Sequence, residues 1–160
     1  MNNLVYFSGP HGSGKSTLIN KIKETNSDLY LITEKLPVTK LEEPLERAKL
    51  RLSRHYMQYF SYNKLAEENP DKIILGDRCV VDSLAYTKAF FELGWINDIE
   101  FYEHNKISEL LYKDSLKKHN VIILNPSIDE LVINLKKRGQ TKWREKDLNY
   151  LSAVKNSYEE

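Results

Sequence analysis

The sequence predicts an α/β fold in which a parallel β-sheet is flanked by helices. Four short segments rich in β-forming residues predict strands at residues 4–8, 29–33, 72–76 and 121–124. Each segment is apolar on both faces, which is typical of strands buried between helices. Helical patterns separate the segments, and strands that alternate with helices indicate a parallel sheet.

Apolar residues recur at helical spacing between the predicted strands. The first helix is expected to begin in a glycine-rich loop and to end near residue 26. The others are predicted at about residues 41–68 (opening near Pro44), 81–93, 97–118, 128–137 and 146–159. The apolar positions of the last helix predict a core face formed by Leu148, Leu151, Val154 and Tyr158.

Length and composition favour a single globular domain over residues 1–160. Apolar residues make up 41% of the chain and charged residues 29%, and no segment resembles a signal peptide or a membrane span. A single cysteine, Cys79, excludes an internal disulfide and a cysteine zinc site, so we expect a cytoplasmic setting. The net charge of +1 does not imply stable binding of nucleic acid, although a local basic patch stays open.

The most specific motif is G-x-x-x-x-G-K-[ST], which follows the first predicted strand and opens the first helix. Glycines there let backbone N–H groups surround phosphates, and the helix N-terminus adds partial positive charge. Lys15 is expected to reach the β- and γ-phosphates, and the Ser16 hydroxyl to bind Mg²⁺. ATP and Mg²⁺ are therefore the expected cofactors, although ATPases, GTPases and kinases share this loop. The predicted nucleotide-binding residues are Gly9, His11, Gly12, Ser13, Gly14, Lys15, Ser16 and Thr17.

A second candidate site follows the third predicted strand. Asp77 stands at the strand's end, where a carboxylate can hold Mg²⁺ directly or through water. Arg78 beside it offers a planar fork for a phosphate. The alternative is a surface ion pair, but the carboxyl end of a parallel strand favours a functional role.

Residues 77–86 resemble the D-R-x-x-x-S/D-x-x-A-Y/F signature of the nucleoside and nucleotide kinase superfamily, and are similar to both thymidylate kinases and deoxynucleoside kinases. The resemblance implies that Asp77 assists the metal and that Arg78 holds the reacting end of the acceptor. It also implies a place for Asp82 in the acceptor site. A homodimer stays open, because family members often dimerise through helices.

The C-terminal segment is similar to the lid and following helix of thymidylate kinases, which have R-G, a basic loop and then D-L-x-F-L-x-x-V-x-x-x-Y. The resemblance implies a lid segment at residues 136–147. Lid arginines would surround the moving phosphoryl group with positive charge and exclude water. Arg138 and Arg144 are the candidates. The alternative is a solvated basic turn before an amphipathic helix.

Two features are candidates for the acceptor pocket. Glu34 follows the second strand, and in deoxynucleoside kinases a Glu near this point takes the proton of the 5′-hydroxyl; the alternative is a solvated Glu. In the long second helix, residues 56–64 resemble the deoxynucleoside kinase helix with Q-x-x-x-x-x-R/K. This resemblance implies that Gln58 grips the base edge and that Tyr59 or Tyr62 stacks on it, although aromatic residues on a long helix are more often core.

The sequence departs from these families at three points. Thymidylate kinases usually have an acid at the third loop position, where this chain has His11, and the Arg of their T-R-E-P-G segment has no clear counterpart. These kinases continue past the lid helix into a last strand and helix, whereas this sequence stops at Glu160, as either a compact variant or a fragment would.

The function predicted from these motifs is ATP-dependent phosphoryl transfer to a nucleoside or a nucleoside monophosphate. A regulatory nucleotide-binding ATPase is the main alternative, because the phosphate loop alone would suffice for it. A polynucleotide 5′-kinase would need a basic groove that the net charge does not indicate. A GTPase is disfavoured, since residues 63–66 lack the Asp of N-K-x-D and lie in a predicted helix.

Overall fold

The computed structural model describes residues 3–32, 41–113, 120–139 and 143–159, and within them it contains a parallel sheet of four strands in the order β2-β3-β1-β4. The strands are β1 (Leu4–Ser8), β2 (Tyr30–Ile32), β3 (Ile73–Asp77) and β4 (Asn120–Ile123). The helices are α1 (Lys15–Thr25), α2 (Pro44–Glu68), α3 (Val80–Glu92), α4 (Asp98–Tyr112), α5 (Ile128–Arg138) and α6 (Leu148–Asn156). The predicted α/β fold is confirmed.

Alternate residues of the central strand β1 pack against different helices. Tyr6 lies in a cluster with Tyr62 of α2, and the two ring centroids are 5.9 Å apart. Phe7, the next residue, lies on the other face in a cluster with Ile19 of α1. Because side chains alternate along a strand, an apolar β1 is buried on both faces, as the sequence pattern predicts.

A third group of core residues joins α2, α3 and α6 beyond the sheet. Tyr86 and Phe90 of α3, which are fully buried, pack with Ala48 of α2 and with Tyr150 and Val154 of α6. The Phe90 and Tyr150 rings lie 6.2 Å apart at a small interplanar angle of 28°. This aromatic core fixes α6 and the segment before it against α2 and α3.

Helix ends position the lid segment. Ser127 and Glu130 form a capping box at the start of α5, and Gly139, with φ of 73°, ends that helix in the left-handed conformation that glycine favours. Asp147 caps α6 by accepting hydrogen bonds from the backbone N–H groups of Asn149 and Tyr150. Two well-defined helix ends therefore bracket the lid segment, of which residues 140–142 lie outside the described chain.

Two sequence-based expectations are wrong. The fourth strand is not buried between helices: β4 is an edge strand, and Ile122 and Ile123 are 43% and 45% exposed. Leu148 is not a core residue, because the buried face of α6 is centred on Leu151 and Val154 and is completed by Tyr150, which leaves Leu148 at its margin and 58% exposed.

None of the helices in the described ranges combines the length and the apolar character that crossing a membrane requires. The end predicted for the fourth helix, near residue 118, lies outside the described residues, since α4 is followed only to Lys113.

Candidate active site

Two motifs that lie far apart in the sequence meet at the carboxyl edge of the sheet. Strands β1 and β3 are neighbours, with Phe7 paired to Asp77. The phosphate loop follows β1, and Arg78 follows β3, where its backbone N–H donates to the Phe7 carbonyl over 2.9 Å. Both motifs line one cavity of about 1560 Å³. The sheet order therefore assembles the site that the sequence predicts as two pieces.

The loop after β1 depends on glycine at two positions. Gly9 has φ of 142°, and a Cβ there would lie 2.2 Å from the Leu124 carbonyl oxygen. Gly12 has φ of 79°, and a Cβ there would lie 3.0 Å from the carbonyl oxygen of Leu131 on α5. Neither position has room for a side chain, so the loop turns closely between β4 and α5.

The loop presents positive charge at the start of α1. Gly14, the N-cap residue, offers no side chain, and the first turn of α1 contains no acid. The Lys15 ammonium donates to the carbonyl oxygens of Gly9 and Pro10 over 2.7 and 2.8 Å and to the Ser13 hydroxyl over 2.8 Å. This arrangement is suited to an anion, because helix N-terminal N–H groups and an ammonium face the same space.

Ser16 and Asp77 fit the predicted metal site. The Ser16 hydroxyl donates a hydrogen bond to Asp77 Oδ2 over 3.1 Å, and both residues line the cavity. The part of the chain that the structure describes holds no group of three or more His, Cys, Asp or Glu residues able to bind a metal. Two oxygen ligands from the protein suit Mg²⁺, which usually keeps several waters and takes further ligands from substrate phosphates.

Arg78 is held in an uncommon backbone conformation. Its φ of 79° lies in the left-handed region, which non-glycine residues rarely occupy. Its guanidinium donates to Asp82 Oδ1 over 2.7 Å and to the Gly9 carbonyl over 3.3 Å. Strain of this kind persists only where surrounding contacts impose it, and it is common at functional sites. The side chain remains 27% exposed and lines the cavity.

Asp82 lies behind the site, contrary to the direct contact with substrate that the resemblance implies. It is fully buried, and its oxygens accept hydrogen bonds from the Ser8 and Tyr158 hydroxyls and from the Cys79 backbone, as well as from Arg78. Burial alone would raise the pKa of Asp82, but the positive charge of Arg78 outweighs this and lowers it to about 2. Asp82 therefore anchors Arg78 as a carboxylate.

Three arginines on α2, which the sequence analysis missed, face the same cavity. Arg47, Arg51 and Arg54 are spaced at i, i+4 and i+7, which places them on one side of a helix. The Arg47 guanidinium lies over the Trp143 ring at 4.2 Å, and that of Arg51 lies over the Tyr86 ring at 4.1 Å. The spacing is visible in the sequence, but nothing in it shows that this side of α2 faces a cavity.

The predicted acceptor residues have different outcomes. Gln58 is buried and lines the cavity, whereas Tyr59 does not line it and packs in a core cluster with Tyr112 of α4. The packing of Tyr59 favours the alternative of a core aromatic over the base-stacking role. Tyr62 packs against Tyr6 in the core and does not line the cavity either. Glu34 lies outside the described residues.

His55 is a further cavity residue that the sequence did not single out. It is buried beside the arginines of α2, and its Nδ1 lies 3.0 Å from the Ser83 hydroxyl. Burial, with a smaller contribution from neighbouring arginines, lowers the pKa of His55 to about 3 against the opposing effect of Asp82. His55 is thus a neutral imidazole at neutral pH.

The lid residues that are described reach the cavity from α5 and from the segment before α6. Arg138 and Arg144, the two predicted lid arginines, both line the cavity together with Trp143. Arg144 lies over the Trp95 ring at 4.3 Å, and Arg138 forms an ion pair with the buried Glu145. Glu145 was not identified from the sequence, where its charged neighbours indicate a solvated turn. The roles of these residues toward a ligand stay predictions.

The comparisons with known proteins agree with this geometry. The sequence profile of the deoxynucleoside kinase family matches residues 6–160. A thymidylate kinase from Campylobacter hominis is 28% identical over 169 residues, a match that covers 98% of this chain and 84% of that protein. Among solved structures, deoxyadenosine kinase from M. mycoides with bound dATP has a TM-score of 0.65 at 18% identity, covering 98% of this chain and 82% of that one. The same enzyme with bound dCTP has a TM-score of 0.66 at 20% identity, covering 98% and 81%.

The family profile spans nearly the whole sequence, so the chain belongs to the deoxynucleoside kinase family. The structural matches show that it has the P-loop kinase fold. The predicted class of function, a nucleoside or nucleotide phosphotransferase, is confirmed.

Proposed function

We propose that this kinase transfers the γ-phosphoryl group of ATP, bound with Mg²⁺, to an acceptor that carries its own phosphate, a nucleoside monophosphate. The observation that carries this proposal is the row of arginines on α2, which lines the same cavity as Arg78. The family and the thymidylate kinase relative support phosphoryl transfer, and the arginines favour the anionic acceptor over the neutral nucleoside.

The cavity has a strong excess of positive charge. Among its described lining residues, only Glu42 and Asp77 carry a carboxylate. An ATP–Mg complex has a modest net negative charge, which the loop, α1 and the lid can balance, so the α2 arginines favour a second anion. The cationic lining residues are Lys15, Lys21, Arg47, Arg51, Arg54, Arg78, Lys137, Arg138 and Arg144.

Arg51 of α2 and Arg78 lie over the same aromatic ring. The guanidiniums of Arg51 and Arg78 lie 4.1 and 5.5 Å from the centroid of the Tyr86 ring. Burial lowers the pKa of Arg54, and the charges of Arg51 and Arg78 lower it further. An anion between two guanidiniums offsets the repulsion between their charges, and a phosphate matches the planar fork of arginine.

Buried N–H donors of the α2 arginines support the same assignment. Arg47 Nε and Arg51 Nη1 are buried and have no hydrogen-bond partner among the described residues. A buried donor without a partner costs free energy, so native proteins rarely keep one without a reason. A phosphate in the cavity would accept from such donors, whereas a neutral sugar hydroxyl would leave most of the charge unbalanced.

On the donor side, Lys15 and the first N–H groups of α1 would hold the β- and γ-phosphates of ATP. Ser16 and Asp77 would hold Mg²⁺, which neutralises charge on the phosphate oxygens when it is bound. Trp143 and the lid arginines line the cavity and would exclude water, so that transfer to the acceptor competes well with hydrolysis.

In the transfer itself, an oxygen of the acceptor phosphate bonds to the γ-phosphorus of ATP while the bond from that phosphorus to the β–γ bridging oxygen breaks. The products are ADP and a nucleoside diphosphate. The attacking oxygen is already ionised at neutral pH, so no side chain has to remove a proton. Arg78, anchored by Asp82, would hold the acceptor phosphate in line.

Transfer to a neutral nucleoside is the competing assignment, with Glu34 as the base for the 5′-hydroxyl. Glu34 lies outside the described residues. A regulatory ATPase is less well supported, because the family match is to kinases of small acceptors.

Removal of one α2 charge tests the anionic acceptor. Arg54→Gln should lower kcat/KM for nucleoside monophosphates about 10- to 100-fold, as loss of a hydrogen bond to a charged group does, and should change nucleoside turnover little. Lys49→Gln is the matched control, since Lys49 lies on α2, is exposed and pairs with Glu46 at the surface. Equal losses for nucleosides and monophosphates in Arg54→Gln would contradict the proposal.

A further inference from the structure

One buried carboxylate joins the phosphate loop to the lid. Glu145 lies just before α6, and its side chain is completely inaccessible to solvent. Its Oε1 is 3.2 Å from His11 Nδ1, and its Oε2 forms the ion pair with the Arg138 guanidinium. His11 belongs to the loop after β1, and Arg138 is the last residue of α5, so three separate segments meet at Glu145.

The His11 partner is itself held in place. Its Nε2 lies 3.4 Å from the Tyr150 hydroxyl, and its ring meets the Tyr86 ring edge-on with centroids 5.0 Å apart. Tyr86 and Tyr150 are both fully buried. The loop side of this connection is therefore rigid, and Glu145 has a fixed point from which to hold Arg138.

The backbone around Glu145 directs its side chain inward. Arg144 has φ of 51°, in the left-handed region, and its side chain lies over Trp95 on the cavity side. Trp143 lies under the guanidinium of Arg47. With its neighbours fixed on aromatic rings, Glu145 is placed against the loop and does not depend on Arg138 for its position.

The position of the Arg138 side chain depends on Glu145 more than the position of Glu145 depends on Arg138. It ends α5 directly before Gly139, and its side chain is 35% exposed. An exposed arginine at a helix end samples many rotamers, and a fixed carboxylate removes most of that freedom. A guanidinium has five N–H donors, so an ion pair at one edge is compatible with contact to an anion at another.

We propose that Glu145 is a positioning residue for phosphoryl transfer, which holds Arg138 against the phosphate loop through a carboxylate shared with His11. This inference rests on the proposed function, since it assigns Arg138 to the transferred phosphoryl group. Glu145 does not line the cavity, so it would act through Arg138. Its effect is exerted in the transition state, where charge on the moving group develops, more than on the binding of ATP, which the loop and Lys15 provide.

A double-mutant cycle tests this coupling. Glu145→Gln keeps the size of the side chain and removes its charge, and should lower kcat about 10-fold with a change in KM for ATP of less than about threefold. Arg138→Gln should lower kcat about 100-fold. In the Arg138→Gln background, Glu145→Gln should have little further effect on kcat, because the group it positions is gone.

Asp147→Asn is the control for a structural role. Asp147 caps α6 two residues beyond Glu145 and does not line the cavity. Asp147→Asn should lower the melting temperature. In the double variant with Arg138→Gln, the fold-reductions in kcat of the two substitutions should multiply, as they do for independent sites. If the effects of Glu145→Gln and Arg138→Gln also multiply independently, or if Glu145→Gln lowers only the melting temperature, the positioning role is wrong.

Binding of ADP with aluminium fluoride, which mimics the phosphoryl group in transfer, to the wild type, the two single variants and the double variant separates this inference from the proposed function. Should the wild-type chain phosphorylate no acceptor, the proposed function fails, but the cycle is still measured in the affinity for this complex. Non-additive losses for the two substitutions would then support the link between Glu145 and Arg138. Additive losses would overturn it.

Discussion

The Ser16 hydroxyl donates a hydrogen bond to the Asp77 carboxylate over 3.1 Å, which joins the first turn of α1 to the end of β3. The two residues meet because β1 and β3 are neighbours in a parallel sheet and end at the same edge. Together they offer a hydroxyl and a carboxylate oxygen, the ligand types that Mg²⁺ prefers, beside a loop suited to phosphates.

Asp77→Asn should weaken the use of Mg²⁺. The amide keeps an oxygen that can accept from Ser16 but loses the negative charge, so the Mg²⁺ concentration for half-maximal activity should rise about 10- to 100-fold. Titration of activity with MgCl₂ at saturating ATP measures the change. Asp71→Asn, at the exposed turn before the same strand, is the control. An unchanged Mg²⁺ requirement in Asp77→Asn would rule out this metal site.

Lys15→Ala should abolish phosphoryl transfer and leave the fold intact. The ammonium is directed at the loop by carbonyl oxygens of Gly9 and Pro10, where it would face the β- and γ-phosphates. Activity and circular dichroism of the variant measure the two effects. Lys23→Ala, in the last turn of α1, should retain activity. Substantial transfer by Lys15→Ala would show that the phosphate loop is not the donor site.

Arg144→Ala should lower turnover by roughly 10²–10⁵ if the guanidinium contacts the transferred phosphoryl group, as arginine fingers do. In the structure its guanidinium lies over the rings of Trp95 and Trp143, at 4.3 and 5.2 Å. These are the chain's only two tryptophans, so their fluorescence should change when ATP draws Arg144 away. A loss of turnover within about twofold, with no fluorescence change on ATP addition, would make Arg144 a surface residue.

The buried His55 should make the protein less stable in mild acid. Its pKa is about 3 in the folded chain and near 6.5 in the unfolded chain, so protons bind preferentially to the unfolded state as the pH falls below 6.5. This group should remove about 2 kcal/mol of stability between pH 7 and pH 5. His104, whose pKa burial lowers to about 4, acts in the same direction.

Urea unfolding of the wild type and of His55→Gln at pH 7 and pH 5 tests this. The variant should lose less stability over that interval, with the remaining dependence carried by His104. Asp82 should contribute nothing to the slope, because a carboxyl with a pKa of about 2 stays ionised throughout. Equal slopes for the wild type and His55→Gln would show that His55 is protonated as readily in the folded chain.

The parts of the site that the sequence predicted follow from local rules. The phosphate loop has a specific motif, and Asp77 and Arg78 stand at the end of an apolar strand, where parallel strands place ligand-binding residues. Apolar patterning also located the six helices and four strands of the described chain, with ends that differ by a few residues. It failed at β4, since no pattern within a strand shows that it lies at the edge of a sheet.

The parts that were missed depend on contacts between distant segments. Arg47, Arg51 and Arg54 occupy one side of α2, but it is the packing of Tyr62 on the sheet that turns this side toward the cavity. Glu145 stands between Arg144 and Lys146, a context typical of a solvated turn, but it is buried where it meets His11 and Arg138. Tyr59 packs against Tyr112 of α4, and the sequence of α2 does not show that contact.

The most direct test of the central claim is the mass of the products formed from ATP and Mg²⁺ with paired acceptors, each nucleoside beside its own monophosphate. The arginine row predicts ADP and nucleoside diphosphates, with kcat/KM at least about tenfold higher for the monophosphate of each pair. Monophosphates formed from nucleosides, with no diphosphate product from any pair, would contradict the anionic acceptor. They would support transfer to the 5′-hydroxyl, with Glu34 as the base.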